Sequence, residues 1–123
     1  MLVKAGEQGR GDAHSASSWQ VELLAGIAEV EGWQGRVGPA GEMGPWQMLP
    51  RVWVSYAGTA EQRAVKHLRY LEKELLQAGV DPQPFNLALA WNAGLAAVLR
   101  GRAPARAYDY ARRVCNRIEA SRR

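Results

Sequence analysis

AEVEGWQGRVGPAGEMGPWQMLP, residues 28–50, sets two carboxylates, Glu29 and Glu31, at the C-terminal end of an apolar-periodic segment and runs at once into five glycines, Gly32, Gly35, Gly38, Gly41 and Gly44. So many residues at ease with positive φ predict a tightly folded loop and not a strand. That reading leaves helices on either side as the regular structure of the chain. A carboxylate at a helix end beside such a loop can be half-buried against Trp33 or Trp46. That environment disfavours the charged form and raises the carboxyl pKa. A raised carboxyl is what an acid catalyst of glycosidic cleavage needs at neutral pH.

Upstream, Ser17 and Gln20 have the form of a capping box, and Trp19, Leu23, Leu24, Ile27 and Ala28 follow a helical period. The first helix is expected to run to about Glu31, with Gly32 stopping it. Downstream, Pro45 suits the first turn of a short helix through Trp46, Gln47 and Met48. Pro50 opens another, carrying Val52, Trp53 and Tyr56 and ending at Gly58. Thr59 with Gln62 repeats the capping-box pattern. The helix after it has Ala64, Leu68, Leu71 and Leu75 on one stripe and Gly79 at its end. Asp81-Pro82-Gln83-Pro84 is a turn that launches a helix over Phe85–Arg100, apolar nearly all round and so expected to be buried. Pro104 starts a last helix to about Ala120, with Tyr110, Val114 and Ile118 inward. No useful β-alternation is present, so the fold class expected is all-α.

The chain has 123 residues, the length of one domain able to bury a core without disulfides or metal. Residues 1–16 are polar and Gly-rich and read as a flexible leader, with the folded domain over 17–123. The leader lacks the apolar core of a secretory signal, and no run approaches a membrane span. The single cysteine, Cys115, excludes an intramolecular disulfide and a Cys-rich zinc site. Neither His14 nor His67 has partners at metal-ligand spacing, so no metal and no cofactor are expected, and His67 reads as a helix-surface or packing residue. The formal net charge is +4, and the excess lies mainly in the arginines from Arg100 to Arg123. Such a face suits a polyanion (nucleic acid, an anionic membrane or an anionic cell-wall polymer) or is simply a solvated helix face.

Two residues stand out in the apolar Phe85–Arg100 segment. Asn92 would place an amide in a buried helix, which costs roughly 1–3 kcal/mol unless hydrogen-bonded. Gly94 beside it costs about 1 kcal/mol relative to Ala in a helix interior. Together they suggest either an amide aimed into a cleft with bare backbone beside it, or an Asn bonded to a neighbouring loop. Glu42 is the second acid of the glycine loop. Two carboxylates flanking a sugar would sit ~5–5.5 Å apart for retention or ~6.5–9.5 Å for inversion. One or two of the five tryptophans, at a cleft, could stack on sugar rings or bases.

In order along residues 19–118, Ile27-Ala28-Glu29-Val30-Glu31-Gly32, Gly44-Pro45-Trp46-Gln47-Met48-Leu49-Pro50, Ala90-Trp91-Asn92-Ala93-Gly94 and Tyr110-Ala111 resemble the catalytic domain of the soluble lytic transglycosylases. That family shares the goose-type lysozyme fold. Its pattern is a helix ending in Glu-Ser, then Gly-Leu-Met-Gln with a Pro shortly after, then Ala-Tyr-Asn-Ala-Gly, then Tyr-Val. The chain departs from it at Gly32, at Pro45-Trp46, at Trp91 and at Arg106, where the family often has a glutamate. The resemblance implies a compact lysozyme-like helical domain with a Gly/Pro-rich active-site loop. It implies Glu31 as the sole acid/base, protonating the glycosidic oxygen between N-acetylmuramic acid and N-acetylglucosamine. The same carboxylate would then take the proton of the muramoyl 6-hydroxyl, giving 1,6-anhydro ends. Gln47, Trp91 and Asn92 would contact substrate, and Tyr110 would orient Glu31. Glu42 keeps open lysozyme-type hydrolysis by water.

The expectation is therefore a peptidoglycan-cleaving enzyme: a lytic transglycosylase first, a hydrolytic muramidase otherwise. It would act as a monomer on glycan strands, without nucleic acid. The absence of a signal fits a phage or mobile-element product delivered by a holin, a virion or a secretion apparatus. A non-catalytic wall-binding protein of the same fold and a basic helical nucleic-acid binder are the rival readings.

Overall fold

The structure, a computed structural model, describes residues 16–123. Of the expected leader, all but Ala16 lies outside the described residues. The described residues form six helices: α1 (Ser18–Glu31), α2 (Pro50–Val54), α3 (Ala60–Gln77), α4 (Pro84–Ala93), α5 (Leu95–Leu99) and α6 (Ala105–Ser121). Among them there is no strand, only an isolated antiparallel bridge between Met43 and Met48. The fold is all-α. No described helix is long and apolar enough to cross a membrane.

Helices α1 and α3 both begin at a capping box. Gln20 Oε1 accepts the Ser17 N–H at 3.0 Å. At the other end of α1, Gly32 adopts the left-handed conformation and donates its N–H to Ala28 O. That stop makes Glu31 the last helical residue. At the start of α3 both halves of the capping box form: Thr59 Oγ1 accepts from Gln62 N (3.1 Å), and Gln62 Oε1 accepts from Thr59 N (2.8 Å).

The core is built from the stripes expected of α1, α3 and α6. Leu23 and Ile27, Leu68, Leu71 and Leu75, and Val114 are fully enclosed, with Leu87 from α4. Each such burial contributes roughly 1.5–3 kcal/mol. Helix α6 packs chiefly on α4 and α1. At the α1–α6 contact Gly26 is buried, and a Cβ there would stand 3.3 Å from the Val114 carbonyl oxygen. The two backbones can approach this closely because α1 carries no side chain at that position.

Three expected elements differ. Trp46–Met48 is not helical: residues 44–47 form a turn closed by Gln47 N–H to Gly44 O (3.0 Å), clasped by paired Met43 and Met48. Gln47 has φ +47°, which cannot continue a right-handed helix. Helix α2 starts at Pro50 as expected but ends at Val54, leaving Tyr56 in the connection. There Arg63 of α3 donates to the carbonyls of Trp53 and Tyr56 (both 2.6 Å) and Gly58 (2.8 Å) and lies over the Trp53 ring. The segment Phe85–Arg100 is two helices, because Gly94 sits at φ 92°, ψ 148°, a conformation closed to other residues. Only its first part, Leu87–Ala90, is buried.

Candidate active site

A cleft of about 550 Å³ opens where the end of α1, the glycine loop, α3 and the α4–α5 break meet. Its size is that of pockets which enclose a drug-sized ligand. Glu31, Glu42, Gln47, Trp91 and Asn92 all line it. The residues picked from separate motifs of the sequence are thus brought to one wall-to-wall space, with Tyr110 behind Glu31.

Glu31 is half-buried. Removal from water raises its carboxyl above the ordinary range, and the negative charge of Glu42 raises it further. Two groups oppose this: the Tyr110 hydroxyl, which donates to Glu31 Oε2 at 2.8 Å, and the Arg113 guanidinium. Tyr110 itself is buried, only 4% exposed, and its hydroxyl is held well above its usual value by burial and by the Glu31 carboxylate. It is therefore a fixed donor. A hydrogen bond between residues 79 apart in sequence holds one carboxylate oxygen. Glu29, two residues earlier, faces away and pairs with Arg117 at 3.4 Å on the surface.

The glycine loop folds over Gly38. A Cβ there would lie 2.5 Å from Gln47 Oε1 and 2.5 Å from Glu42 Oε1, so the bare backbone is what admits both side chains. Glu42 Oε1 accepts the Ala40 N–H at 2.8 Å, and Gly38 N–H donates to Glu42 O. The second acid thus braces the loop while facing the cleft. Gln47 Nε2 donates to Gly44 O at 2.8 Å, which turns its carbonyl oxygen toward Gly38 and the cleft. Its positive φ is strain of the kind that gathers at functional sites.

Trp91 stands where the family pattern has tyrosine, and its indole takes a structural part. Trp91 Nε1 donates to Trp46 O (3.1 Å), and Trp46 Nε1 donates to Leu24 O (2.9 Å). The two indoles clamp the Gly44–Gln47 turn between α4 and α1. Trp33, proposed with Trp46 as apolar cover for the acid, is 43% exposed and binds its own loop through Arg36 O. It is not among the residues lining the cleft.

Asn92 is exposed in the cleft and not buried in a helix, because α4 ends one residue later at the Gly94 break. Among the described residues its side-chain amide makes no hydrogen bond. The alternative of an Asn bonded to a neighbouring loop is therefore not the one adopted. His67, read from sequence as a surface or packing residue, also lines the cleft. Burial lowers its imidazole to about 4, so the ring is neutral at physiological pH. Its Nδ1 and the Tyr56 hydroxyl are 2.9 Å apart. A lone His on a helix gives no sequence signal of this; only its place one turn from Leu71, on the edge of the α3 stripe, hinted at it.

Among the described residues no group of three His, Cys, Asp or Glu is placed to hold a metal ion. Compared with protein-family models, curated proteins and solved structures, the chain matches none.

Proposed function

We propose that the protein is a peptidoglycan-cleaving glycosidase with Glu31 as its acid/base. The single observation that carries this is the state of Glu31: a half-buried carboxyl raised by desolvation, held through one oxygen by Tyr110, and opening on a cleft lined by the Gln47 and Asn92 amides. A carboxyl whose proton affinity is raised in this way is better able to hold a proton and deliver it to a glycosidic oxygen. The motif resemblance and its order in the chain point to the bond between N-acetylmuramic acid and N-acetylglucosamine.

In the transglycosylase course, Glu31 gives its proton to the leaving oxygen as the bond to the muramoyl anomeric carbon breaks. The resulting carboxylate takes the proton of the muramoyl 6-hydroxyl, whose oxygen closes on that carbon to leave a 1,6-anhydro end. One residue serves both steps, as in glycosidases assisted by their substrate's own groups. Gln47 and Asn92 would bind the amides and hydroxyls that orient the sugar. A second course has an observation of its own: Glu42 lines the same cleft and its charge acts on Glu31. Water oriented by Glu42 would then replace the 6-hydroxyl, and the product would carry a reducing end.

Digestion of purified peptidoglycan by wild type and Glu31→Gln, with muropeptides read by mass spectrometry, tests the reading. Wild type is expected to release products lighter by one water than hydrolytic muropeptides. The variant is expected to lose roughly 10²–10⁴-fold in rate, the usual worth of a positioned general acid. Reducing-end products would favour the Glu42 course. No release by wild type would overturn the enzyme reading and leave a wall-binding protein of this fold.

A further inference from the structure

The part of the cleft lining carried by α3 and Trp91 of α4 is aromatic, and the mechanism above makes no use of it. His67 and Tyr70, one turn apart on α3, hold their rings nearly parallel, with centroids 6.1 Å apart and 17° between planes. The Trp91 ring meets His67 edge-on at 5.0 Å. All three line the cleft, and Tyr70 is 45% exposed. Tyr70 thus stands on a concave wall as a partly exposed ring with His67 against it and Trp91 behind His67. A partly exposed aromatic ring of this kind is apolar on its faces and is matched by the axial C–H groups of a pyranose ring.

The polar part of this wall points the same way. His67 Nδ1 is taken up by Tyr56, whose hydroxyl is held protonated by burial. That bond engages Nδ1 and leaves Nε2 as the ring nitrogen open to a ligand, as donor or acceptor according to the tautomer. Among the described residues Nε2 makes no hydrogen bond. A neutral imidazole nitrogen beside a ring platform suits a polar substituent of a sugar, a hydroxyl or an acetamido group.

Resting on the glycan reading of the site, we infer that His67, Tyr70 and Trp91 form a second sugar subsite, which stacks an N-acetylated hexosamine next to the ring whose bond Glu31 would break and engages a hydroxyl or acetamido group of that sugar through His67 Nε2. The subsite would set how far a glycan strand must extend past the cleaved bond. Trp91 couples it to the reacting region, because its indole N–H also holds the turn that carries Gln47.

The probe is tri-N-acetylchitotriose, titrated into wild type and Tyr70→Ala and followed by the side-chain NMR signals of His67 and Tyr70; cleavage of peptidoglycan is measured in parallel. Tyr70 is surface-exposed, so its truncation leaves the core intact. On wild type the His67 and Tyr70 signals are expected to shift on binding, and Tyr70→Ala is expected to bind roughly threefold to tenfold more weakly. If wild type cleaves peptidoglycan while the α3 signals stay still, or Tyr70→Ala binds as wild type does, the subsite is overturned and the catalytic reading stands. Shifts at α3 without cleavage would support the subsite and count against catalysis. If wild type neither binds the trisaccharide nor cleaves, both inferences fall.

Discussion

Tyr110 is the residue on which the state of Glu31 turns. Its hydroxyl donates to Glu31 Oε2 at 2.8 Å from a buried position, and it works against the desolvation that raises the carboxyl. Tyr110→Phe removes this bond while keeping the ring that fills the core. The freed carboxylate loses a donor, so its charged form becomes less favourable and the Glu31 pKa rises further. The carboxyl also loses its anchor. A hydrogen bond to a charged group is worth about 1.5–3 kcal/mol, so kcat/KM is expected to fall roughly tenfold to a hundredfold. The alkaline limb of the pH–rate profile, where the acid loses its proton, is expected to move up. A purely structural role for Tyr110 would lower the rate without moving that limb. Gln47 is the other residue at which the backbone itself is set for the site: a non-glycine at φ +47° keeps its carbonyl oxygen toward the cleft, and Gly38 leaves the room.

At the scale of the elements, the close contact of α1 with α6 fixes where Glu31 meets Tyr110. Gly26 is the point of approach, where a Cβ would press on the Val114 carbonyl at 3.3 Å and on Val114 and Ile118 side chains at 3.4 Å. Gly26→Val puts two further carbons into that contact. It is expected to lose roughly 1–3 kcal/mol of stability, as overpacking does, measured by denaturant unfolding. It is also expected to lower activity in the still-folded protein, because the Glu31–Tyr110 bond spans these same two helices. The three long helices α1, α3 and α6 were legible in the sequence, since their boundaries are written in local signals: the Ser17–Gln20 and Thr59–Gln62 boxes, Gly32, Pro104. The Gly44–Gln47 turn was not, because what holds it is remote: Trp91 reaches Trp46 across 45 residues, and Trp46 reaches Leu24. A local pattern of Pro45 followed by apolar and amide residues reads as a helix start without them. The cleft that Glu31, Gln47 and Asn92 share was legible as residues and not as surroundings. Glu31, Gln47 and Asn92 could be named from motif order, yet Asn92 was expected in a buried helix, because a glycine in an apolar run does not reveal that it breaks the helix. His67 had no motif at all.

Over the whole molecule, much of the arginine excess is engaged on the surface. Arg122 joins Glu22 at 2.8 Å across the ends of α6 and α1, and Arg112 and Arg113 share Asp109. These exposed pairs are worth little each, so the response of the fold to pH is set in the cleft, by two groups with opposite signs. His67 is lowered from 6.5 to about 4 by burial. The unfolded chain binds a proton there below about 6.5 and the folded one does not, so stability from a neutral His67 is present above 6.5 and is lost as pH falls through about 4. The loss is on the order of 3 kcal/mol for a shift of this size. Glu31 is raised by burial. Its folded form takes up a proton before the unfolded one does, so its contribution is full below the unfolded value of 4.5 and is lost as pH rises through the folded value. At neutral pH the burial of Glu31 is therefore a cost to the fold, as groups kept for chemistry often are. Thermal unfolding from pH 4 to 8 separates the two. Glu31→Gln, which keeps an acceptor for Tyr110, is expected to melt above wild type at pH 7 and to lose that advantage toward pH 4. His67→Gln, which keeps an acceptor for Tyr56, is expected to show a flatter decline than wild type between pH 6.5 and 4. A Glu31→Gln protein with the melting temperature of wild type at every pH would mean that the carboxyl is as well solvated in the cleft as in the unfolded chain. The acid would then lack the raised proton affinity on which the proposed chemistry depends.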